Sequence, residues 1–171
     1  LKQAIRYEED PVMFMESEQM YGDKGEVPDE EYYIPLGKAD IKKAGRDITI
    51  VSYNKMMKVA LGAATELEKE GISAEVIDLR TIRPLDFPTL VESVKKTNRM
   101  VVLEEAWPYG SVSSEISFQM QKHAFDYLDA PVKRITTLDT SIAYAPTLVN
   151  AFLPNTEKVV KAVKDAMYVN S

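Results

Sequence analysis

The chain has 171 residues, 45% hydrophobic and 28% charged, with a formal net charge of −6, one histidine and no cysteine. That is enough for one well-cored globular domain with some chain left over, and too little for two ordinary ones. Disulfides, thiolate nucleophiles and cysteine metal sites are excluded together, no basic footprint for nucleic acid is present, and no apolar run approaches the roughly 20 residues of a membrane span.

The charge is unevenly spread. Between Glu8 and Glu31 ten acidic residues stand against Lys24 alone, so that segment carries −9 and the remainder +3. Acidity thus belongs to the opening segment, and net charge assigns no acidic partner surface to the rest.

Leu1 to Arg6 reads as the inside of an amphipathic helix, so the chain is expected to be a piece of a longer one. Val12 to Glu16 reads as a short strand reached through Asp10-Pro11. A helix and a strand without a following core are expected to close an upstream domain. Ser17 to Glu31, acidic and carrying Gly22, Gly25 and Pro28, reads as a linker or surface loop. Lys38 to Lys42 then suits a short edge strand, Gly45-Arg46-Asp47 a turn and Ile48 to Ser52 a buried strand. Met56, Ala60, Ala63, Ala64 and Leu67 recur at helical spacing, with Gly71 as the C-cap.

Ala74 to Leu79 is an apolar run of the kind used by a strand covered on both faces. Pro84 bars a helix from starting before it, Asp86 is the natural N-cap, and Phe87, Leu90, Val91 and Val94 follow at helical spacing. Met100 to Leu103 reads as a strand, Ser111 to His123 as a helix and Val132 to Thr136 as a last strand. Asn155 to Met167 is a final helix with Val159, Val160, Val163 and Met167 inward. Strands alternating with helices predict βαβ units in a mostly parallel sheet with helices on both faces.

In such a sheet ligands bind at the carboxyl ends of the strands, near the point where strand order reverses. Three loops qualify: Tyr53-Asn54-Lys55, Arg80 to Asp86, and Glu104 to Gly110 with the sequence EEAWPYG. Arg80 and Arg83 suit either an anion or the fixing of their own loop through carbonyls or a nearby carboxylate. Glu104 and Glu105 are adjacent in extended chain and point oppositely, so they do not form an acid/base pair facing one substrate. The helix start at Gly110-Ser111 offers free N–H groups to a phosphate, or is simply capped by Ser111. Trp107, Pro108 and Tyr109 serve either as interface anchors or as a seal on the end of the core. His123, near a helix C-terminus, suits a surface or capping role. No Walker-type loop, dinucleotide glycine fingerprint, HExxH or GxSxG occurs.

The runs DPVMFMESEQMYG (Asp10 to Gly22), YYIPLGKADI (Tyr32 to Ile41), EVIDLRTIRPLD (Glu75 to Asp86), KTNRMVVLEEAWPYGSVSSEI (Lys96 to Ile116) and LDAPVKRI (Leu128 to Ile135) carry a resemblance. Together they resemble the C-terminal part of the β subunit of pyruvate dehydrogenase, the thiamine-diphosphate-dependent decarboxylating component of the 2-oxo-acid dehydrogenase complexes. MESEQMYG and EEAWP favour the pyruvate enzyme over the branched-chain one, the alternative being the β subunit of another 2-oxo-acid dehydrogenase (branched-chain or acetoin), and the C-terminal domain of transketolase is similar in fold.

The resemblance implies a three-layer α/β/α domain with a five-strand, mostly parallel sheet and one antiparallel edge strand, Lys38 to Lys42, with Ala74 to Leu79 between it and Ile48 to Ser52. It implies that residues 1–22 end an upstream pyrimidine-binding domain, 23–37 form an acidic linker and 38–171 an assembly domain. Thiamine diphosphate and Mg²⁺ would be held in the complete enzyme by other parts, and this chain would carry no catalytic, cofactor-binding or metal-binding residue. Its expected partners are a second β subunit, the α subunit and the subunit-binding domain of the dihydrolipoyl acyltransferase, with no nucleic acid and no membrane. Asp129, in the LDAP motif, would take a cationic side chain from that binding domain, unless it merely bonds its own turn. In the family the very C-terminus also lies near this site; the match of the tail Tyr168 to Ser171 to it is left open. The expected location is the cytoplasm in a bacterium and the mitochondrial matrix in a eukaryote.

Overall fold

The computed structural model describes residues 1–169. In chain order it forms a short helix α1 (Lys2–Ile5), strands β1 (Asp40–Lys43) and β2 (Ile48–Ser52), helix α2 (Met56–Lys69) and strand β3 (Ala74–Asp78). Helix α3 (Phe87–Thr97), strand β4 (Met100–Leu103), helix α4 (Val112–Ala124), strand β5 (Lys133–Ile135) and helices α5 (Pro146–Phe152) and α6 (Thr156–Met167) follow. The sheet has five strands in the order β1-β3-β2-β4-β5. Only β1 runs antiparallel, against β3; the other pairings are parallel.

Every residue of β2 and β4 is buried, as an unbroken apolar strand requires when helices cover both faces. Alternation along the strands then divides the core in two. Ile48, Ile50, Val76, Val101 and Leu103 face α2 and α6, where Ala60, Ala63 and Ala64 of α2 and Val159 and Val163 of α6 complete one cluster. Val51, Ile77 and Val102 face the other way, against Leu90 and Val94 of α3 and Ile116 and Met120 of α4. Each such side chain contributes about 1.5–3 kcal/mol of transfer free energy, so two apolar layers on one sheet account for its order. This is the expected three-layer α/β/α arrangement, with β3 between β1 and β2 as expected.

The α3 face also holds a polar seam. The hydroxyls of Thr49 and Ser93 are 2.6 Å apart, those of Thr49 and Thr97 2.7 Å, and Ser93 Oγ donates to Glu75 Oε1 at 2.6 Å. Lys96 Nζ closes the seam on Glu75 Oε2. All of these groups but Lys96 are buried, so their mutual bonding removes a desolvation cost.

Several expectations need correction. Val12 to Glu16 forms no strand, and Met13 is 85% exposed. A lone strand lacks a neighbour for its N–H and C=O groups, and among the described residues none is offered. A 3-10 turn, Glu18–Met20, which the linker or surface-loop reading of Ser17 to Glu31 does not include, lies inside that segment. The edge strand begins at Asp40, two residues later than expected. Helix α5 escaped the pattern reading because only Phe152 of its residues is buried, leaving no apolar stripe to detect. Asp86 occupies the N-cap position of α3, but its side chain makes no capping bond. Its carboxylate accepts instead from Ala39 N–H at 3.1 Å and Thr89 Oγ1 at 2.8 Å, tying the approach to β1 onto α3. Burial pushes the Asp86 carboxyl upward, yet these donors outweigh it and hold it below the usual carboxylate range. Of the tail Tyr168 to Ser171, residues 170 and 171 lie outside the described residues.

Candidate functional site

Chain order reverses at β2, which has β3 on one side and β4 on the other. The crevice beyond the carboxyl ends of β2 and β4 is therefore where a doubly wound sheet takes a ligand. Here the first residues past those strands are Tyr53 and Glu104. Glu104 is 0% exposed. Its Oε2 accepts from the Tyr53 hydroxyl at 3.0 Å and its Oε1 from the Ser113 N–H at 3.1 Å. The crevice is thus occupied by a carboxylate of the chain itself. Burial, then the charge of Glu104, raise the Tyr53 phenol above its ordinary value, so it remains a donor.

This answers two sequence readings. The paired glutamates have separate partners and form no acid/base pair: Glu105 is half-buried, with its Oε2 2.5 Å from Lys55 Nζ. Ser111 sits at the N-cap of α4 but makes no capping bond, its hydroxyl lying 3.0 Å from that of Ser113. Glu104 supplies the cap instead. A phosphate at that helix start would meet an anion already holding a first-turn N–H, which opposes the anion-site reading. Arg80 likewise fixes its own loop, with Nη2 donating to Asp40 Oδ2 at 2.5 Å. The opening segment is tacked across this end of the sheet. Lys55 Nζ donates to Gln19 Oε1 at 3.2 Å and Lys58 Nζ to Asp23 Oδ1 at 2.6 Å. Burial lowers the Lys55 ammonium below its usual value.

Trp107, Pro108 and Tyr109 do not seal the core. Trp107 is 56% exposed and Tyr109 93%. Their loop is nevertheless held: Trp107 Nε1 donates to Thr140 O at 2.9 Å, Arg134 Nη2 to Pro108 O at 2.9 Å and Ser114 Oγ to Pro108 O at 3.2 Å. Ile142, Tyr144 and Leu148, on and just past the loop that receives Trp107, are exposed as well. An ordered loop presenting aromatic rings to solvent fits an interface anchor.

Asp129 lies elsewhere. It precedes β5, whereas Trp107 follows β4, so in this parallel pair they occupy opposite ends of the sheet. Asp129 does not bond its own turn. Its Oδ2 lies 3.2 Å from Arg99 Nη2, and its N–H donates to Asn98 O at 2.9 Å. Neither Asn98 nor Arg99 stood out in the sequence. The available signal was an asparagine at a helix end, where the left-handed C-cap favours it, and Asn98 has φ +57°.

Comparison with known proteins places this geometry. Residues 37–159 match the family described as "Transketolase, C-terminal domain". The chain belongs to the transketolase C-terminal domain family. It is 49% identical over 98% of its length to the pyruvate dehydrogenase E1 component subunit beta of Rhizobium meliloti (strain 1021), covering 36% of that protein. It is 47% identical over 96% of its length to the mitochondrial subunit beta of Dictyostelium discoideum, covering 47% of it. The chain thus spans about half, or less, of the curated relatives it matches. Among solved structures, a split-gene transketolase described as an inactive beta4 tetramer is similar with a TM-score of 0.71 and 27% identity, over 86% of this chain and 48% of that one.

Thiamine diphosphate dependence follows from the family for the full enzymes. Among the described residues of this transketolase C-terminal domain, no three His, Asp or Glu side chains converge to hold a metal ion. The helix start at the switch point is filled by Glu104. A diphosphate at that helix start would meet the Glu104 carboxylate, which repels it. No helix among them is long and apolar enough to cross a membrane.

Proposed function

We propose that the chain is the C-terminal part of the β subunit of pyruvate dehydrogenase, serving assembly rather than chemistry. The whole enzyme decarboxylates pyruvate oxidatively and transfers the acetyl group to the lipoyl group of its acyltransferase. Residues 1–22 close the upstream pyrimidine-binding domain, 23–37 link, and 38–171 form the assembly domain. The cofactor and Mg²⁺ sit in other parts of the enzyme. A second β subunit, an α subunit and the subunit-binding domain of the dihydrolipoyl acyltransferase are its partners, in the bacterial cytoplasm or the mitochondrial matrix according to source. The observation that carries this reading is the filled switch point: with Glu104 bonded on both oxygens, the chemistry on offer is at the surface, on the aromatic loop Trp107 to Tyr109 and at Asp129.

Asp129 takes a cationic side chain of the binding domain. In the assembled enzyme carrying the full-length subunit, Asp129→Asn is expected to weaken binding of an isolated subunit-binding domain about tenfold or more, as loss of a close interfacial charge pair does. Asparagine is preferred to lysine, which would also repel Arg99. Unchanged affinity by calorimetric titration removes the assignment.

A further inference from the structure

We propose that Asn98 and Arg99 are positioning residues for Asp129, presenting one oxygen of its carboxylate outward to a cation of the docking partner. This rests on the docking role given to Asp129 above. Asp129 stands in a loop between a 3-10 turn ending at Tyr127 and strand β5, where an aspartate ordinarily samples several rotamers. Here both backbone and side chain are tied to the turn between α3 and β4. Asn98 Nδ2 donates to Tyr127 O at 2.9 Å, and Asn98 O accepts the Asp129 N–H at 2.9 Å. One residue thus fixes the loop on both sides of Leu128. The left-handed turn at Asn98, φ +57°, is what brings its amide and its carbonyl to the same loop.

Arg99 acts on the side chain. Its own backbone is pinned at the amino end of the sheet, its carbonyl accepting from Thr49 N–H at 2.9 Å and from Thr97 Oγ1 at 3.2 Å. From there Nη2 faces Asp129 Oδ2 at 3.2 Å, with the Arg99 side chain 24% exposed and that of Asp129 56%. Oδ1 of Asp129 makes no hydrogen bond among the described residues. A carboxylate has about four lone-pair sites on its two oxygens, so Arg99 on Oδ2 leaves Oδ1 open to a second cation. A half-exposed ion pair of this kind adds little to folding stability. Its use is orientation, because the rotamer and loop freedom that docking would remove has already been spent in folding.

The test is a double-mutant cycle on the assembled enzyme with the full-length subunit, read as affinity for an isolated subunit-binding domain of a dihydrolipoyl acyltransferase. Arg99→Gln is expected to weaken binding roughly three- to tenfold, the cost of ordering one side chain on association, and to have no further effect once Asp129→Asn is present. Asn98→Gly keeps the left-handed turn and deletes only the amide, so it tests the loop fastening even if Arg99→Gln folds poorly. It is expected to weaken binding by a smaller factor that also vanishes with Asp129→Asn. A structural role without positioning would lower affinity equally in both backgrounds, and that result, or unchanged affinity in both single variants, overturns the inference while the docking role stands. If Asp129→Asn itself changes nothing, the docking role fails and the positioning role with it.

Discussion

Glu104→Ala is expected to cost the domain about 3–5 kcal/mol, since it combines a buried cavity with two stranded donors. The side chain is wholly buried. Removing it leaves the Tyr53 hydroxyl and the Ser113 N–H without their acceptor, each unsatisfied group costing about 1–3 kcal/mol. The cavity lies where β2, β4 and the start of α4 meet, so relaxation would have to move a central strand. For a domain of this size each kcal/mol lowers the melting temperature by about 2–4 °C, so a fall on the order of 10 °C is expected. Glu104→Gln keeps the shape but has one acceptor for two donors, and turns its amide toward the other. Its cost should fall between the two, at about 1–3 kcal/mol. Denaturant titration of the three proteins checks the order, and an alanine variant within about 1 kcal/mol of the parent would show that Glu104 is not the keystone of this end of the sheet.

Gly45→Ala is expected to be as damaging, for a reason of space rather than conformation. A methyl group at Gly45 would run into the backbone of Ala74 and Glu75 and lie 2.6 Å from Ala74 O. Those atoms belong to β3, which is hydrogen-bonded on both sides and cannot withdraw. The Gly45 N–H also donates to Glu75 Oε2 at 3.3 Å, so any displacement reaches the buried carboxylate that Ser93 and Lys96 satisfy. A loss on the order of 4 kcal/mol or more follows from overpacking against backbone together with disturbance of a buried polar network. Gly71→Ala is the control. Gly71 has φ +81° with nothing within 4 Å of an added Cβ, so only left-handed strain opposes it, about 1–2 kcal/mol. If Gly45→Ala unfolds no more easily than Gly71→Ala, the close approach to β3 is looser than described.

The contrast between these two glycines illustrates what the amino-acid sequence reveals and what it hides. The strands Ile48–Ser52, Ala74–Asp78 and Met100–Leu103 were legible because each is a short apolar run between turn signals, and burial on both faces demands such runs. Helix α6 was legible from Asn155 onward, where the side chain does accept the Lys158 N–H at 2.9 Å. Caps assigned from residue type alone were less secure. Asp86 and Ser111 hold the right positions, but which acceptor meets the first-turn N–H groups is settled by tertiary neighbours. Ser111 gives way to Glu104, nine residues before the Ser113 whose N–H it accepts and delivered by the end of a different element. The same limit applies to the candidate site. The separate partners of Glu104 and Glu105 lie just past the end of β4, whereas the approach of Asn98 and Arg99 to Asp129 is a contact between the α3–β4 turn and the α4–β5 loop, which no local pattern encodes. Val12 to Glu16 shows the converse case: its residues suit a strand, and pairing depends on a partner that the described residues do not contain.

As proposed above, this chain is the assembly-serving part of a pyruvate dehydrogenase β subunit. The most direct measurement is substrate-dependent acylation of a lipoyl domain by the assembled enzyme containing the full-length subunit and its α partner, with pyruvate compared against branched-chain 2-oxo acids. Turnover with pyruvate that requires both subunits is expected. Assembly that turns over a branched-chain 2-oxo acid in preference to pyruvate, or a subunit that joins no α partner and supports no acylation, would contradict it.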